Sequence, residues 1–231
     1  MVEYAKTEKM TVVIDGPAGA GKSTVARRVA RQLGSMLLDT GAIYRTLALA
    51  AREAGVAWDD ADGLAALAAG LPIEFSMEQG ENRVLLGGED VSGDIRTPEM
   101  SLGASQVSAL GPVRQALLEL QRSFARARAV VAEGRDMGTV VFVDAPVKIF
   151  LVADPEVRAR RRLAELQAMG HEVSLDEVLR QQNERDAADS GRDVAPLKPA
   201  DDAVMLDTSG LDVDQVVARI LDVVRERGGA A

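Results

Sequence analysis

The sequence predicts an α/β domain in which helices flank a parallel β-sheet. Short and almost uniformly apolar segments alternate with longer segments whose apolar residues recur at helical spacing, and this alternation is typical of the class. Strands that are apolar on both faces indicate a parallel sheet that is covered on both sides. In such sheets ligands bind at the carboxyl ends of the strands, so polar residues at those ends are candidates for a functional site.

The N-terminal part of the chain supplies two strands and two helices. Residues 12–14 are a buried strand that enters a glycine-rich loop, and the helix that follows begins at Lys22 and ends at Gly34. A second strand, residues 36–39, precedes a helix that ends at Gly55. Glycine commonly follows the last turn of a helix because it adopts the left-handed conformation without strain.

The C-terminal half brings the predicted parallel sheet to five strands. The helices between these strands start at capping signals, namely Asp154 before Pro155, and Ser174 with Glu177 three residues later. The three additional strands are residues 129–133, 147–153 and 203–207.

Residues 71–95 interrupt this alternation. The turn signals "EQGEN" and "GG" flank the short apolar run "RVLL", which indicates antiparallel strands joined by glycine turns. An antiparallel segment cannot continue a parallel sheet, so we predict an inserted subdomain within one domain of residues 1–231.

Composition excludes several classes of protein. The net charge of −9 disfavours a general affinity for nucleic acid, and the absence of cysteine excludes disulfides and thiolate metal sites. The single histidine, His171, excludes a zinc site of several histidines. No apolar run approaches about 18 residues, so no transmembrane helix is expected. The start, "MVEYAKTEKM", lacks the apolar stretch of a signal peptide, and we expect a short disordered lead-in to a cytoplasmic protein.

The loop "GPAGAGKS" after the first strand matches the phosphate-loop pattern G-x-x-x-x-G-K followed by serine or threonine. Glycines let several backbone N–H groups converge on a polyphosphate, and the following helix directs its positive N-terminal dipole at the same anion. Lys22 can reach the terminal phosphates of ATP, and the Ser23 hydroxyl can hold Mg²⁺. The predicted nucleotide-binding residues are Gly16, Pro17, Ala18, Gly19, Ala20, Gly21, Lys22, Ser23 and Thr24.

Other motifs distinguish three classes of phosphate-loop protein: a GTP-dependent switch, a motor ATPase and a phosphotransferase. The guanine-reading motif N-K-x-D does not occur, and D-x-x-G at 90–93 and 207–210 is a short pattern that matches by chance. A motor ATPase usually has a strand that ends in Asp, whereas "AVVAEGRD" continues into arginine and glycine. Transfer to a small anionic acceptor is favoured by arginines near strand ends and on helices, since the guanidinium fork binds phosphate bidentately. These arginines are Arg45, Arg96, Arg114, Arg135, Arg185 and Arg192.

Two further clusters fit phosphoryl transfer. Arg185, Asp189 and Arg192 would share one helix face if the helix continued through Ser190 and Gly191. Residues 154–170 contain four arginines within five positions and predict a lid that excludes water and clamps phosphate. The four are Arg158, Arg160, Arg161 and Arg162, of which we expect Arg158 and Arg162 to act in catalysis.

Taken in order, several segments resemble bacterial cytidylate kinase from about residue 11 to 225. They include "LLDTGAIYR", "GEDVSGDIRTPE", "EGRDMGTVVFVDAPVKIFL" and "ERDAADSGR". The resemblance implies a phosphate-loop kinase that transfers the γ-phosphate of ATP to CMP or dCMP with Mg²⁺, and it implies a cytoplasmic monomer. Residues 40–110 would form the monophosphate-binding side, with the 71–95 insert as its family-specific segment.

The resemblance also implies roles for individual residues. Arg45, Arg135 and Arg192 would bind the α-phosphate of CMP, and Lys22, Arg135 and Arg192 would act in catalysis. Thr40 stands where many relatives have serine, and Glu133 stands where aspartate is frequent. The remaining implied contacts are Ser105, Arg114 and Asp136 to cytosine, and Arg185 and Asp189 to the ribose.

Three alternatives remain open from the residues alone. The first is a phosphate-loop kinase with another acceptor, such as UMP or a small alcohol. The second is a regulatory nucleotide-binding module without transferase activity. The third is a nucleic-acid-binding protein that uses the arginine run, which the net charge of −9 disfavours.

Overall fold

The computed structural model describes residues 10–78 and 81–228; the predicted lead-in and the tip of the "EQGEN" turn lie outside these residues. Among the described residues, no helix has the length and apolarity needed to cross a membrane. The strands are β1 (Thr11–Asp15), β2 (Met36–Asp39), β3 (Ile73–Glu78), β4 (Glu81–Leu86), β5 (Glu89–Asp90), β6 (Val130–Gly134), β7 (Val147–Val152) and β8 (Val204–Asp207).

The α-helices are α1 (Lys22–Leu33), α2 (Thr40–Ala54), α3 (Ala61–Ala69), α4 (Pro98–Val107), α5 (Gly111–Ala127), α6 (Pro155–Ala168), α7 (Leu175–Ser190) and α8 (Val213–Gly228). A 3₁₀ turn covers Asp94–Arg96, and a π-helix covers Met137–Val141.

The five-stranded sheet has the order β2-β6-β1-β7-β8, which confirms the predicted α/β class. β1 pairs in parallel with β6 and β7, and β7 pairs in parallel with β8. The central strands are buried along almost their whole length, as their uniform apolarity predicts. At the carboxyl edge Asp15 lies opposite Gly134 on one side and Phe150 on the other, so the segments that follow these strands start side by side.

The chain divides into two compact units. The first contains the described residues of the ranges 1–36 and 129–231, and in it α1 packs against β6 and α8. The second contains residues 37–128, and in it α2 packs on α4 while α3 packs on α5. The status of 1–231 as one domain, and of 71–95 as a separate subdomain, stays a prediction.

The antiparallel insert is confirmed as a three-stranded sheet of order β3-β4-β5 within the second unit. β3 and β4 pair so that Ile73 faces Leu86, and their buried residues Ile73 and Val84 belong to the core. Phe75 meets Phe124 of α5 edge to face, with ring centroids 5.4 Å apart. The small sheet therefore packs on a helix, which a short antiparallel sheet needs for stability.

The predicted helix ends agree with the structure. Gly34 and Gly55 follow α1 and α2 with φ of 62° and 70°, and their N–H groups bond to the last carbonyls of those helices. At the start of α6 the Asp154 carboxylate accepts the N–H groups of Glu156 and Val157, and at the start of α7 the Ser174 hydroxyl accepts the N–H of Glu177.

Candidate functional site

The glycine-rich loop between β1 and α1 is shaped to receive an anion. Gly16, Gly19 and Gly21 have φ of 146°, 73° and 88°, so they adopt backbone conformations that other residues rarely take. Gly21 caps α1 without any side chain to accept the first N–H groups of the helix. Those N–H groups and the positive end of the helix dipole are thus available to bind phosphate oxygens.

Gly16 lies against the backbone of β7. A Cβ atom at Gly16 would stand 2.2 Å from the carbonyl oxygen of Leu151, whereas a Cβ at Gly34, which also has positive φ, would meet nothing within 4 Å. We expect Gly16→Ala to lower the free energy of unfolding by at least about 3 kcal/mol, because a backbone clash adds to the strain of a positive φ. Gly34→Ala has only that strain and should cost about 1 kcal/mol.

Urea denaturation of both variants, followed by circular dichroism, measures this difference. Similar midpoints for Gly16→Ala and Gly34→Ala would contradict the close approach of the loop to β7.

Lys22 is buried at the first position of α1, and its ammonium group donates to the Pro17 carbonyl at 2.7 Å. Burial, together with the positive charges of Arg135 and Arg185, lowers the pKa of Lys22 to about 7, although the charges of Glu133 and Asp15 oppose the shift. The lysine therefore lies among positive groups that an added anion would stabilise.

Ser23 and Glu133 form the candidate magnesium site. The Ser23 hydroxyl donates to Oε2 of Glu133 at 2.9 Å, and Glu133 is buried at the end of β6. Hydroxyl and carboxylate oxygens are the hard ligands that Mg²⁺ prefers, and one or two protein oxygens suffice when phosphates and waters complete the octahedron. Within the described ranges, no group of three acidic or histidine side chains offers a fuller cage. The residues present fit the ion that the loop motif implies.

Asp189 joins two of the predicted phosphate-binding arginines. Its Oδ2 accepts from Nε of Arg135 at 2.9 Å, and its Oδ1 accepts from Nη2 of Arg192. The Asp189 side chain is 2% exposed. Burial alone would raise the pKa of Asp189, but the charges of Arg135, Arg192 and Arg185 hold it below its usual range. Three arginines thus gather around one buried carboxylate.

The route by which these residues meet differs from the predicted one. The expected helix through Ser190 and Gly191 does not form: α7 ends at Ser190, and the N–H of Gly191 bonds back to the Ala187 carbonyl. Arg192 lies in the loop beyond the helix and reaches back three residues to Asp189. The condition for a face shared by all three residues is therefore not met for Arg192, while Arg185 and Asp189 both lie in α7 and Arg192 still contacts Asp189.

Asp136 is buried immediately after Arg135, at the start of the π-helix. Its carbonyl accepts the N–H of Val140 at 2.9 Å and that of Val141 at 3.3 Å, and the second bond, between residues five apart, is the one that defines a π-helix. The next two N–H groups, of Met137 and Gly138, are bound by the carboxylate of Asp15 at 3.0 and 2.8 Å. The segment that carries two predicted substrate contacts thus has a fixed backbone.

The four arginines of α6 have separate partners. Arg158 is buried; its guanidinium donates to the Ala18 carbonyl of the phosphate loop at 2.9 Å and to Asp186 at 2.6 Å. Arg161 binds the hydroxyl and the carbonyl of Thr208. The remaining two pair with acids of their own exposed helix face, Arg160 with Glu156 and Arg162 with Glu165.

Residues 154–170 therefore contact the phosphate loop through Arg158. A Cβ atom at Gly19 would stand 3.1 Å from the Cβ of Arg158 and 3.3 Å from Oε1 of Gln182, so α6 and α7 both approach the loop closely. The four arginines do not converge as one clamp here, and the lid and the catalytic roles of Arg158 and Arg162 stay predictions.

In the second unit, Arg45 is held by the residue that ends β2. Oδ2 of Asp39 accepts from Nη2 of Arg45 at 2.9 Å, while Oδ1 accepts the N–H of Ala42 and caps α2. Thr40, buried, is the first residue of that helix. The cap and the ion pair together fix the direction of the Arg45 side chain.

Arg114 and Ser105, the predicted cytosine contacts of the second unit, meet around Ser108. The Ser108 carbonyl accepts from Nη1 of Arg114 at 3.0 Å, and the Ser108 hydroxyl donates to the Ser105 carbonyl at 3.2 Å. The guanidinium carbon of Arg114 stands 5.6 Å from the ring centre of Tyr44, within the range of a cation–π contact. The structure thus brings these two predicted residues to one turn.

Sequence reasoning missed the carboxylates that hold the arginines. Asp39 and Asp186 pair with Arg45 and Arg158, and Asp15 binds the backbone after Asp136. For Asp39 and Asp15 a signal existed, because each is a polar residue that ends an apolar strand. Asp186 carries no such signal, since it lies 28 residues from its partner in the sequence.

Comparison with known proteins shows the family to which the chain belongs. A family model for cytidylate kinase matches residues 12–226. The chain is 52% identical over 219 residues to the cytidylate kinase of Syntrophotalea carbinolica, across 95% of this chain and 93% of that protein. It is 51% identical over 219 residues to the cytidylate kinase of Pseudomonas aeruginosa, across 94% of this chain and 96% of that protein.

A distant structural likeness supports the fold alone. The crystal structure of an uncharacterized protein from Eubacterium ventriosum superposes with a TM-score of 0.51 at 12% identity, across 94% of this chain and 99% of that one.

Proposed function

Because the chain belongs to the cytidylate kinase family, we propose that it transfers the γ-phosphate of ATP to CMP or dCMP in one direct step, giving ADP and CDP or dCDP. The observation that carries this proposal is the proximity of Lys22 to the arginine cluster. Ser23, the residue after Lys22, bonds to Glu133 at 2.9 Å. Arg135 follows Glu133 by two residues and pairs with Asp189. The phosphate loop and the predicted CMP ligand Arg135 therefore lie at the same edge of the sheet.

The chemistry needs little beyond position and charge. The attacking oxygen of CMP is already anionic, so no strong general base has to remove a proton from it. Fixed positive groups stabilise the charge that spreads over the transferred phosphoryl group, and in-line alignment of the two nucleotides lowers the entropic cost. In this account no phosphorylated enzyme forms.

Some residues of the first unit bind the phosphate donor, ATP, and others bind the acceptor, CMP. The phosphate loop, from Gly16 to Thr24, holds ATP, with Lys22 on the terminal phosphates. Arg135 and Arg192 bind the α-phosphate of CMP. In the free protein each of these arginines binds one oxygen of the Asp189 carboxylate, and the phosphate of CMP offers oxygens to the same two guanidinium groups. Arg185 and Asp189 then bind the ribose hydroxyls.

Mg²⁺ would be held by Ser23, with Glu133 close to it. When bound, the ion supplies positive charge that neutralises the phosphates of ATP. The hydrogen bond between Ser23 and Glu133 fixes the direction of the hydroxyl, so Glu133 orients this ligand.

The second unit contributes the remaining CMP contacts. We propose that Arg45 binds phosphate and that Arg114 and Ser105 donate to the cytosine acceptors. Thr40, five residues before Arg45, is a further proposed substrate contact through its hydroxyl. Tyr44 and Ser108 hold Arg114 in place. We also propose a cytoplasmic monomer that does not bind nucleic acid.

Asp136 is proposed to read the base. Its carboxylate accepts from the amino group of cytosine, whereas uracil presents an oxygen there and is repelled. We expect Asp136→Ala to lower kcat/KM for CMP by at least about 100-fold and to change the value for UMP much less. Asp144→Ala, in the exposed turn that follows, should leave both values unchanged.

Coupled assays with ATP and each monophosphate measure these ratios. Equal losses with CMP and UMP in Asp136→Ala would place the residue outside base recognition. Phosphorylation of UMP or a small alcohol in preference to CMP by the unmodified protein would assign it another acceptor.

ATP binding should be linked to proton uptake by Lys22. In the free protein the pKa of Lys22 is about 7, so at pH 8 the amine is mostly neutral. Bound phosphates favour the ammonium form and raise this pKa, so binding at pH 8 takes up close to one proton and binding at pH 6 takes up almost none. Calorimetry in buffers of different ionisation enthalpy measures the uptake, and heats that do not depend on the buffer at pH 8 would contradict it.

A further inference from the structure

The carboxylate of Asp15 is committed to the backbone of a neighbouring segment. Asp15 ends β1 and is 4% exposed. Its Oδ1 accepts the N–H of Met137 at 3.0 Å, and its Oδ2 accepts the N–H of Gly138 at 2.8 Å. Each oxygen therefore binds one backbone donor, and the carboxylate spans two successive peptide groups.

Those two N–H groups directly follow Arg135 and Asp136. They open the π-helix Met137–Val141, and a π-helix inside a protein is frequently a functional feature. The Asp136 carbonyl is bound by the N–H of Val140 at 2.9 Å. The peptide group between Asp136 and Met137 is thus held at both ends: its carbonyl accepts the N–H of Val140, and its N–H donates to the Asp15 carboxylate.

The site requires two acceptors. Both partners of Asp15 are N–H groups, so an asparagine would present its own NH₂ to one of them and lose that bond. A Cβ atom at Gly138 would lie 3.5 Å from Oδ2 of Asp15 and 3.2 Å from Cδ of Lys148, so the side chains of β1 and β7 also pack closely against this segment. A shift of the backbone at 137–138 moves the Asp136 side chain.

We infer that Asp15 is a positioning residue for the choice of base: its carboxylate fixes the peptides of Met137 and Gly138 and so aims the Asp136 side chain at the amino group of cytosine. This inference rests on the proposed function, because Asp15 would position the Asp136 side chain that distinguishes CMP from UMP. Asp15 itself does not touch the substrate.

The two hydrogen bonds that the Asp15 carboxylate accepts should depend on pH. Burial, together with the nearby Asp136 charge, raises the pKa of Asp15 to about 6, although the two N–H bonds and the Lys22 charge oppose the shift. As pH falls below 6 the carboxyl takes up a proton, and its O–H then faces an N–H donor, so one of the two bonds is lost. Base discrimination should therefore decline on the acid side.

The test compares kcat/KM for CMP and for UMP between pH 5.5 and 8 in the wild type, in Asp15→Asn and in the exposed control Asp144→Asn. Both acceptors carry the same titrating phosphate, so their ratio isolates recognition of the base. We expect Asp15→Asn to lower the CMP-to-UMP ratio by about tenfold or more, with the UMP value little changed. Asp144→Asn should keep the wild-type ratio.

Two further results complete the test. The wild-type ratio should fall as pH drops through 6, and the Asp15→Asn ratio should stay flat over that range. If Asp15→Asn folds poorly, the wild-type pH profile alone decides, and a flat wild-type ratio overturns the inference. Equal losses with both acceptors in Asp15→Asn would also overturn it and make Asp15 a purely structural residue. A wild-type protein that does not phosphorylate CMP would instead overturn the proposed function, and this inference with it.

Discussion

Replacement of Lys22 by methionine should reduce turnover of CMP by at least about 1,000-fold while the protein remains folded. Lys22 is buried at the start of α1, where its ammonium group bonds to the Pro17 carbonyl of the phosphate loop. Methionine keeps most of the side-chain volume and removes the charge that would stabilise the transferred phosphoryl group. Because burial already disfavours that charge in the free protein, its loss should not destabilise the fold.

Steady-state kinetics with ATP and CMP, together with thermal unfolding, test this result. Lys198→Met is the matched control, since it makes the same change at an exposed lysine. Near-normal turnover by Lys22→Met would mean that the loop has been misread as the donor site.

Much of the fold could be predicted from local signals. The uniform apolarity of β6 and β7 predicts buried parallel strands, and Gly34 and Gly55 mark helix ends. These features depend on residues close together in the sequence, which is why a single sequence reveals them.

Two helices were not predicted although their caps are visible in the sequence. The Asp60 carboxylate accepts the N–H of Gly63 at the start of α3, and the Thr97 hydroxyl accepts the N–H of Met100 at the start of α4, next to a proline at the first position. Both segments are rich in small residues, so no apolar stripe at helical spacing drew attention to them.

The partners of the arginines could not be derived from the sequence. Residue type selects both arginines, Arg135 by its position after a strand and Arg192 by its position near a predicted helix. The pairing of Arg135 with Asp189, however, joins positions 54 residues apart. Which carboxylate holds which guanidinium depends on how α7 and the loop after it return to the sheet. For the same reason the end of α7 at Ser190 changed the predicted geometry and left the contact in place.

Replacement of Arg135 by methionine should lower kcat/KM for CMP by at least about 1,000-fold, through a higher KM and a lower kcat together. In the proposed function Arg135 binds the acceptor phosphate and stabilises charge in the transition state. Its removal leaves the buried Asp189 still paired with Arg192, so no buried carboxylate loses every partner. We therefore expect the variant to remain folded.

Arg180→Met is the control for this variant, since Arg180 pairs with Glu184 on an exposed face of α7. Initial rates over a range of CMP concentrations separate KM from kcat. A variant that raises KM for ATP and leaves KM for CMP unchanged would place Arg135 on the donor side.

The path of the γ-phosphate itself is the most direct test of direct transfer between the two nucleotides. ATP labelled on its γ-phosphate is mixed with the protein, Mg²⁺ and CMP, and the products are separated. Direct transfer predicts that the label appears on the β-phosphate of CDP, with no labelled protein and no inorganic phosphate beyond background. Label that collects as inorganic phosphate while CMP remains unchanged, or that passes through a phosphorylated protein before it reaches CDP, would contradict direct transfer between two bound nucleotides.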